Sequence, residues 1–288
     1  MIDPLILSND GPPLTFIHAN GYPLLAYQDM LKPLVNKYQV SGYFLRPFWP
    51  GSDPGALRDW RDFAGDYLKF LEEFYFEDQD FPDQKRTGVI AVGHSVGAMT
   101  SLLAAIQHPE LFQALVLIEP VLFPPWRGKL MQLITNFRSI SQLHPLIRKT
   151  LQRKRSFPTQ EIMFTNYRGK SIFERLSDHV LMNYVKGLSR EIPDGSVELS
   201  YSPEWEARIY ETSGIADRIV WRNIDKVTCP VLVIRGRDTD TLKEWVFEQM
   251  LKKLPAGVGA NISDAGHLVP LEKPERTSEL ITEFLDPI

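Results

Sequence analysis

The sequence predicts an α/β protein with a mostly parallel, doubly wound sheet and an inserted helical unit. Short apolar runs rich in β-branched residues alternate along the chain with amphipathic helical patterns, which is typical of a parallel sheet covered by helices on both faces. This alternation stops between residues 122 and 226 and then resumes. A chain of 288 residues is long enough for one such domain with a large insertion.

Each predicted element rests on a local pattern. Short apolar runs with the composition of buried strands are, in chain order, Leu14–His18, Tyr38–Leu45, Val89–Val92, Ala114–Ile118, Val231–Arg235 and the weaker Gly257–Ile262. Apolar residues at three- and four-residue steps predict helices over Leu24–Lys37, Leu57–Phe74, Val96–Gln107, Leu242–Leu254 and Pro274–Leu285. A further short strand is expected before Leu14, and the breaker-rich stretch Arg46–Gly55 is expected to be a loop.

The interrupted region has a different character. It contains helical patterns at Lys129–Ser139, Ile172–Lys186 and Glu204–Tyr210, but no apolar run comparable to the predicted strands. We therefore expect a core formed by residues 1–121 and 227–288, with residues 122–226 inserted as a helical unit.

The composition excludes several classes of partner. With 43% hydrophobic residues, 24% charged residues and a formal net charge of −4, the chain offers no basic face for nucleic acid or a membrane surface. No apolar run reaches the roughly 18 residues of a spanning helix, and no signal pattern opens the chain, so we expect a cytoplasmic protein. The single cysteine, Cys229, is expected to be a buried structural thiol. Homo-oligomerisation is left open.

The pattern G-x-S-x-G, at Gly93-His94-Ser95-Val96-Gly97, stands between a predicted strand and a predicted helix. In such a sharp turn the flanking glycines are needed because neighbouring backbones pass too closely for a side chain. The turn would expose the Ser95 hydroxyl at a helix N-terminus, where N–H groups face developing negative charge. A serine that merely caps a helix is the alternative. The strand before and the helix after favour a nucleophile.

A serine nucleophile needs a base, and His267 is the preferred candidate among six histidines. It lies in a glycine-flanked loop after the last predicted strand, where a parallel sheet presents groups beside Ser95. His94 adjoins Ser95 but is expected to point elsewhere, and His18, at a strand end, would either line a pocket or pack. Ordinary surface or packing roles are expected for His108, His144 and His179.

With these residues the chain resembles the α/β-hydrolases of the capped, epoxide-hydrolase-like and haloperoxidase-like type. The motifs that carry the resemblance are GHSVG and DAGHLVPLEKPE, in the family's order of nucleophile, acid and histidine, and the insertion lies where the family places its cap. Epoxide hydrolases of this type use aspartate as nucleophile, so Ser95 implies acyl transfer instead. The glycine-rich turn usual after the second strand is replaced here by Arg46–Ser52.

The resemblance places the acid in the loop after Val231–Arg235, which offers two aspartates. Relatives' motifs align with Asp240, which is therefore preferred over Asp238. Asp240→Asn is expected to lower turnover by orders of magnitude while leaving the fold intact, because His267 would take the wrong tautomer. Glu119, which ends the strand after the nucleophile helix, is the third candidate, since some dehalogenase-like relatives carry their acid there. A pocket-edge or structural role for Glu119 is favoured.

An oxyanion formed at Ser95 needs two N–H donors. One should be the amide of Val96, directly after the nucleophile. The resemblance places the other in the loop after His18, where one alignment nominates the Tyr22 amide and another nominates Asn20, whose side chain could also contribute. An ordinary Asn-Gly turn would explain the same residues.

A cap over the sheet edge would enclose a substrate cavity. His18, His94, Glu119 and Trp126 are the candidate lining residues, and the basic run Arg148–Arg155 is expected to be a solvated helix face. Neither metal-ligand spacing nor a phosphate loop is present in the sequence, so we expect a reaction without a cofactor. The sequence predicts a serine hydrolase acting on a small, largely apolar acyl compound such as an ester, lactone or thioester. The alternatives are a small-ligand binding protein on the same fold and cofactor-free oxygenation or perhydrolysis.

Overall fold

A computed structural model describes residues 2–76, 88–124 and 145–288. The predicted helix Lys129–Ser139 and the predicted pocket residue Trp126 lie outside these residues. Along the described chain, no helix is both long enough and apolar enough to cross a membrane.

A seven-stranded sheet forms the centre of the molecule. Its strands, in chain order, are β1 (Leu5–Ile6), β2 (Pro13–Ile17), β3 (Gln39–Tyr43), β4 (Val89–His94), β5 (Phe112–Ile118), β9 (Val231–Gly236) and β10 (Gly257–Ile262). Their spatial order is β1-β3-β2-β4-β5-β9-β10, and every pair is parallel except β1 with β3. The predicted parallel α/β sheet is confirmed, including the short strand before Leu14.

Burial follows position in the sheet. Every residue of β4 and of β9 is buried, as expected for central strands covered by helices on both faces, whereas β10 at the edge is largely exposed. β4 and β5 are neighbours, and so are β5 and β9, so that the carboxyl ends of these three strands lie side by side. Cys229, just before β9, is buried, and burial raises the pKa of its thiol to about 11.

Helices cover the sheet and connect its strands. The helices of the core are α1 (Gln28–Leu31), α2 (Arg61–Leu71), α3 (Val96–Gln107), α9 (Glu244–Lys253), α10 (Val269–Glu272) and α11 (Pro274–Leu285). The single helix predicted over Leu24–Lys37 is wrong. Two short 3₁₀ turns, Leu24–Tyr27 and Leu34–Asn36, flank α1 instead, because Pro33 lacks the N–H that a continuous helix would require.

Between β5 and β9 the described chain folds into helices and a small separate sheet. The helices are α4 (Pro145–Leu151), α5 (Gln160–Arg168), α6 (Asp178–Leu188), α7 (Pro203–Glu211) and α8 (Gly214–Asn223). The strands β6 (Ser156–Phe157), β7 (Ser189–Glu191) and β8 (Val197–Leu199) form an antiparallel sheet in the order β6-β8-β7. The expectation of a purely helical insertion missed these strands, because two or three residues are too few to show a strand period.

The insertion packs on the core through α6, which contacts the Leu24–Tyr27 turn, and through α8, which contacts α3. At Gly187 the approach is close, since a Cβ there would lie 2.8 Å from the Pro23 ring. The unit boundaries at residues 121/122 and 226/227 stay a prediction. We refer to residues 145–226 as the cap.

Candidate active site

Ser95 stands on a strained turn between β4 and α3. Its backbone has φ 59° and ψ −117°, a conformation that a residue with a side chain rarely adopts. A Cβ on Gly93 would lie 2.5 Å from the Gly97 carbonyl, and one on Gly97 would lie 2.2 Å from the Ile17 carbonyl oxygen. The need for glycine on both sides of Ser95 therefore follows directly from the geometry.

A continuous hydrogen-bond chain runs from this serine to a buried carboxylate. The Ser95 Oγ lies 3.0 Å from His267 Nε2, and His267 Nδ1 lies 3.1 Å from Glu119 Oε2. A carboxylate only accepts, so His267 Nδ1 carries the proton and Nε2 accepts from the serine hydroxyl. The three residues follow β4, β10 and β5, which all end at the same edge of the sheet.

Glu119 is built into this edge. Its side chain is completely buried, and its φ of 47° turns the chain sharply at the end of β5. The Gly236 amide donates to Oε1 at 2.7 Å, while the Thr239 hydroxyl donates to Oε2 at 2.7 Å. With His267, three donors surround the carboxylate, as a buried charge requires.

The prediction that Asp240 contacts His267 is wrong, and so is the alternative Asp238. Asp240 is exposed, and its Oδ1 accepts from the Thr241 hydroxyl at 3.2 Å. Asp238 is also exposed and forms an ion pair of 2.7 Å with Arg175. The residue between them, Thr239, points inward instead and reaches Glu119. The loop after β9 thus supplies a hydrogen-bond donor to Glu119 and no carboxylate to His267.

Contrary to the prediction, His94 does not line the cavity. Its ring is fully buried, and its Nε2 donates to the His267 backbone carbonyl at 2.9 Å. Its Nδ1 accepts from the Tyr27 hydroxyl at 2.8 Å. Burial and the neighbouring His267 hold the pKa of His94 well below its ordinary value, so the ring is neutral. His94 therefore fixes the loop that carries His267.

His18 is also a packed residue and not part of the cavity wall. Its Nδ1 donates to the Ala19 carbonyl at 2.8 Å, and its Nε2 accepts from the Leu45 amide at 3.2 Å. Burial lowers the pKa of His18 to about 4, and the hydrogen bond to Ala19 offsets this only in part. A neutral imidazole therefore closes the end of β2.

Of the predicted oxyanion donors, Val96 and Asn20 keep an available backbone amide. Val96 is the first residue of α3, where N–H groups have no partner within the helix. The Tyr22 amide donates to the Ala19 carbonyl at 3.1 Å, so that prediction is wrong. In the part of the chain that the structure describes, the Asn20 amide donates to no protein acceptor. The Asn20 side chain is bound to the cap and is not free to contribute.

A cavity of about 360 Å³ opens beside Ser95 and His267. Its described walls are mainly apolar, with a few polar groups. The apolar residues include Trp60, Val121, Phe123, Leu146, Ile147, Ile172 and Ile209, and the polar ones include Asn20, Tyr210, Ser213, Asp240 and Thr241. A second cavity of about 430 Å³ shares Ile172, Asp240 and His267 with the first. Of the predicted lining residues, His18, His94 and Glu119 lie behind the described walls.

The basic run Arg148–Arg155 is only partly the solvated face that was expected. Arg148 is exposed, but Arg153 is largely buried and pairs with Glu206 at 2.6 Å. Among residues 2–76, 88–124 and 145–288, no three His, Cys, Asp or Glu side chains are arranged to hold a metal ion.

A serine on a strand-to-helix elbow, at the carboxyl edge of a parallel sheet, defines the α/β-hydrolase class of fold. The model of the alpha/beta hydrolase family matches residues 16–280, so the chain belongs to this family and is an enzyme.

A sequence relative agrees with the family, and solved structures agree with the fold. An uncharacterized hydrolase of Bacillus subtilis (strain 168), YugF, is 25% identical over 278 residues, which cover 94% of this chain and 89% of that protein. The crystal structure of E-2-(acetamidomethylene)succinate hydrolase superposes with a TM-score of 0.73 at 18% identity, covering 97% of this chain and 93% of the other. An esterase of Mycobacterium tuberculosis superposes with a TM-score of 0.69 at 18% identity, covering 99% of this chain and 92% of the other.

Proposed function

We propose that this enzyme is a serine hydrolase that cleaves a small, largely apolar ester or related acyl compound through an acyl-enzyme on Ser95. His267 is the general base, and Glu119 is the acid that orients it. The observation that carries the proposal is the unbroken chain from Ser95 Oγ through His267 to the buried Glu119 carboxylate. This chain supplies the base and the fixed tautomer that a serine hydroxyl needs at neutral pH.

The first half of the reaction forms the acyl-enzyme. Ser95 Oγ attacks the substrate carbonyl carbon while its proton passes to His267 Nε2. The carbonyl oxygen becomes an oxyanion that accepts from the Val96 and Asn20 amides. The carbon–oxygen bond to the leaving alcohol then breaks, and the alcohol takes the proton from His267 Nε2. Glu119 stabilises the transient imidazolium through Nδ1 without itself taking a proton.

The second half returns the enzyme to its starting state. Water takes the place of the alcohol and attacks the acyl carbon, giving its proton to His267 Nε2. A second tetrahedral oxyanion forms at the same two amides. When the bond to Ser95 Oγ breaks, the proton returns to the serine and the carboxylic acid leaves. The hydrogen bonds between Ser95 and His267 and between His267 and Glu119 support this order of steps.

The cavity supports a small and largely apolar substrate. Since a water-sized group takes about 30 Å³, a volume of about 360 Å³ has room for on the order of ten non-hydrogen atoms. Its apolar walls would stabilise an acyl chain by removing it from water. We expect p-nitrophenyl esters of short to medium chain length to be the best of a graded series.

Labelling with a fluorophosphonate tests the nucleophile. The wild-type protein should take up one equivalent on Ser95, and both Ser95→Ala and His267→Ala should lose the label and the esterase activity. Ser101→Ala is a matched control, because Ser101 is a second buried serine, within the helix that begins directly after Ser95, and its hydroxyl donates to the Gly97 carbonyl at 3.1 Å. This variant should keep the label. Well-folded wild-type protein that takes up none would overturn the proposal and favour a binding or non-hydrolytic function.

A further inference from the structure

The loop that carries Asn20 is held by hydrogen bonds to both sides of Ala19. The Ala19 carbonyl accepts from the His18 ring at 2.8 Å and from the Tyr22 amide at 3.1 Å. The Ala19 amide donates to the Tyr27 hydroxyl at 3.2 Å. The Asn20 N–H belongs to the same planar peptide as the Ala19 carbonyl, so the core restrains this peptide from its Ala19 side only.

The side chain of Asn20 is held by the cap at both of its ends. The Tyr201 hydroxyl donates to Asn20 Oδ1 at 2.6 Å, and Asn20 Nδ2 donates to the Glu206 backbone carbonyl at 3.1 Å. Asn20 is 7% exposed and Tyr201 is 1% exposed, so water does not compete for these bonds. A carboxamide bound at both ends has one orientation, and it restricts the backbone of its own residue.

The two cap groups are themselves fixed. The Tyr201 ring contacts Phe48 edge-on, with the ring centroids 5.1 Å apart. The Glu206 carboxylate pairs with Arg153 at 2.6 Å, and the same guanidinium donates to the Tyr184 hydroxyl at 2.6 Å and the Tyr167 hydroxyl at 3.0 Å. The Arg153–Glu206 ion pair thus holds the first turns of α7 beside Asn20.

We infer that the cap completes the oxyanion site, with Tyr201 as a positioning residue that aims the Asn20 amide through its bond to the Asn20 carboxamide. The inference rests on the proposed function, since it needs an oxyanion at Ser95. Asn20 and Ser95 line the same cavity, so the peptide that the cap restrains faces the reacting carbonyl. Loss of a whole oxyanion donor typically costs about 10²- to 10³-fold in kcat, and a loosened donor costs part of this.

The test compares Tyr201→Phe with Tyr167→Phe. Both tyrosines are buried cap residues whose hydroxyls are hydrogen-bonded, but the Tyr167 hydroxyl bonds to Arg153 and not to Asn20. For Tyr201→Phe we expect kcat for a short p-nitrophenyl ester to fall at least about tenfold, with KM little changed. An alkyl boronic acid forms a serine adduct that places an oxygen in the oxyanion site, so its inhibition constant should rise by a similar factor. Tyr167→Phe should leave both quantities near wild type, because Arg153 keeps its pair with Glu206 and its bond to the Tyr184 hydroxyl.

A second variant separates positioning from general loosening of the cap. Asn20→Ala keeps the backbone amide but removes the carboxamide, so it should reproduce the loss in kcat and in boronate affinity. The double variant with Tyr201→Phe should be no worse than Asn20→Ala alone, because Tyr201 acts through the carboxamide that Asn20→Ala has already removed.

Two results would overturn the inference. One is a Tyr201→Phe enzyme with wild-type kcat and boronate affinity, whatever its melting temperature. The other is an equal loss of both in Tyr167→Phe, which would show a general effect of the cap. Failure of the proposed function looks different, because wild-type Ser95 would then take up no fluorophosphonate at all.

Discussion

Replacing Glu119 by glutamine tests the assignment of the acid with almost no change of shape. In the wild-type protein, Glu119 Oε1 accepts from the Gly236 amide at 2.7 Å, and Oε2 accepts from Thr239 at 2.7 Å and from His267 Nδ1 at 3.1 Å. Glutamine offers one acceptor oxygen and one donor NH₂ where the carboxylate offers two acceptors. The fully buried site leaves no room for water to repair the mismatch.

Both orientations of the glutamine amide carry a penalty. If its oxygen stays on the Gly236 amide, its NH₂ faces His267 Nδ1, which must then lose its proton and become an acceptor. Nε2 would carry the proton and could no longer accept from Ser95. If the amide is reversed, its NH₂ opposes the Gly236 N–H, leaving two buried donors unsatisfied at about 1–3 kcal/mol each. The activation free energy should therefore rise by about 3–5 kcal/mol, or roughly 10²- to 10⁴-fold in kcat/KM.

The assay is hydrolysis of a p-nitrophenyl ester near neutral pH, with a thermal melt to confirm folding. Asp240→Asn is the matched variant: its side chain is exposed and contacts Thr241, so its kcat/KM should stay within a few-fold of wild type. The opposite ranking, with a severe loss in Asp240→Asn and near-normal turnover in Glu119→Gln, would refute Glu119 as the acid.

Three further outcomes follow from individual contacts. Thr239→Val removes one donor to Glu119 and should lower kcat/KM by roughly tenfold, as expected for a hydrogen bond to a charged group. Thr239→Ser keeps the hydroxyl and should retain most of the activity. Equal activity of the valine and serine variants would contradict this prediction. Gly97→Ala should severely lower the melting temperature, because the new Cβ would lie 2.2 Å from the Ile17 carbonyl oxygen. The matched variant Gly65→Ala in α2 meets nothing within 4 Å and should raise the free energy of unfolding by up to about 1 kcal/mol. The pKa of His18 is about 4 in the folded protein, against about 6.5 in the unfolded chain. Protons therefore bind the unfolded chain more tightly below pH 6.5, and the free energy of unfolding should fall by about 2 kcal/mol by pH 5. The lowered pKa of His94 adds in the same direction, so urea unfolding at pH 7.5 and pH 5 should differ; equal midpoints would exclude neutral buried histidines.

The nucleophile turn could be predicted because its chemistry is local. Gly93, Ser95 and Gly97 are separated by single residues, and the close approaches that require the glycines occur within this turn and against the end of β2. His267 could be predicted from the order of strands, because a parallel sheet brings the ends of its strands to one edge.

The acid could not be chosen from the sequence in the same way. Glu119 and Asp240 follow neighbouring strands, β5 and β9, whose backbones lie only about 5 Å apart. Which carboxylate accepts from His267 Nδ1 depends on the turn at the end of β5 and on the inward orientation of the Thr239 side chain. The available signal was a glutamate directly after the apolar run Ala114–Ile118, since a charge at such a place must have several partners.

The cap was the least predictable part. Its strands are two or three residues long, and the contact between Tyr201 and Asn20 joins positions 181 residues apart. No periodic pattern records such a contact, because it depends on how two units pack. The end of α1 has a local cause in Pro33, whereas the Leu24–Tyr27 turn before it packs against α6 of the cap, a contact that the sequence does not reveal.

The supports of the proposed site divide into two sets. One hydrogen-bond chain within the core joins the Ala19 amide, the Tyr27 hydroxyl, the His94 ring and the His267 carbonyl, and these bonds agree on a single tautomer for His94. The base, the nucleophile and the start of the oxyanion loop are thus fixed to one another without the cap. The Ala19–Asn20 peptide, which carries the donor N–H, is held by the core through its carbonyl and by the cap through the Asn20 carboxamide. A cap that shifts on its packing surface would therefore leave the Ser95–His267–Glu119 chain intact and act first on the oxyanion donor, so that cap variants should lose transition-state affinity before they lose the reactivity of the serine.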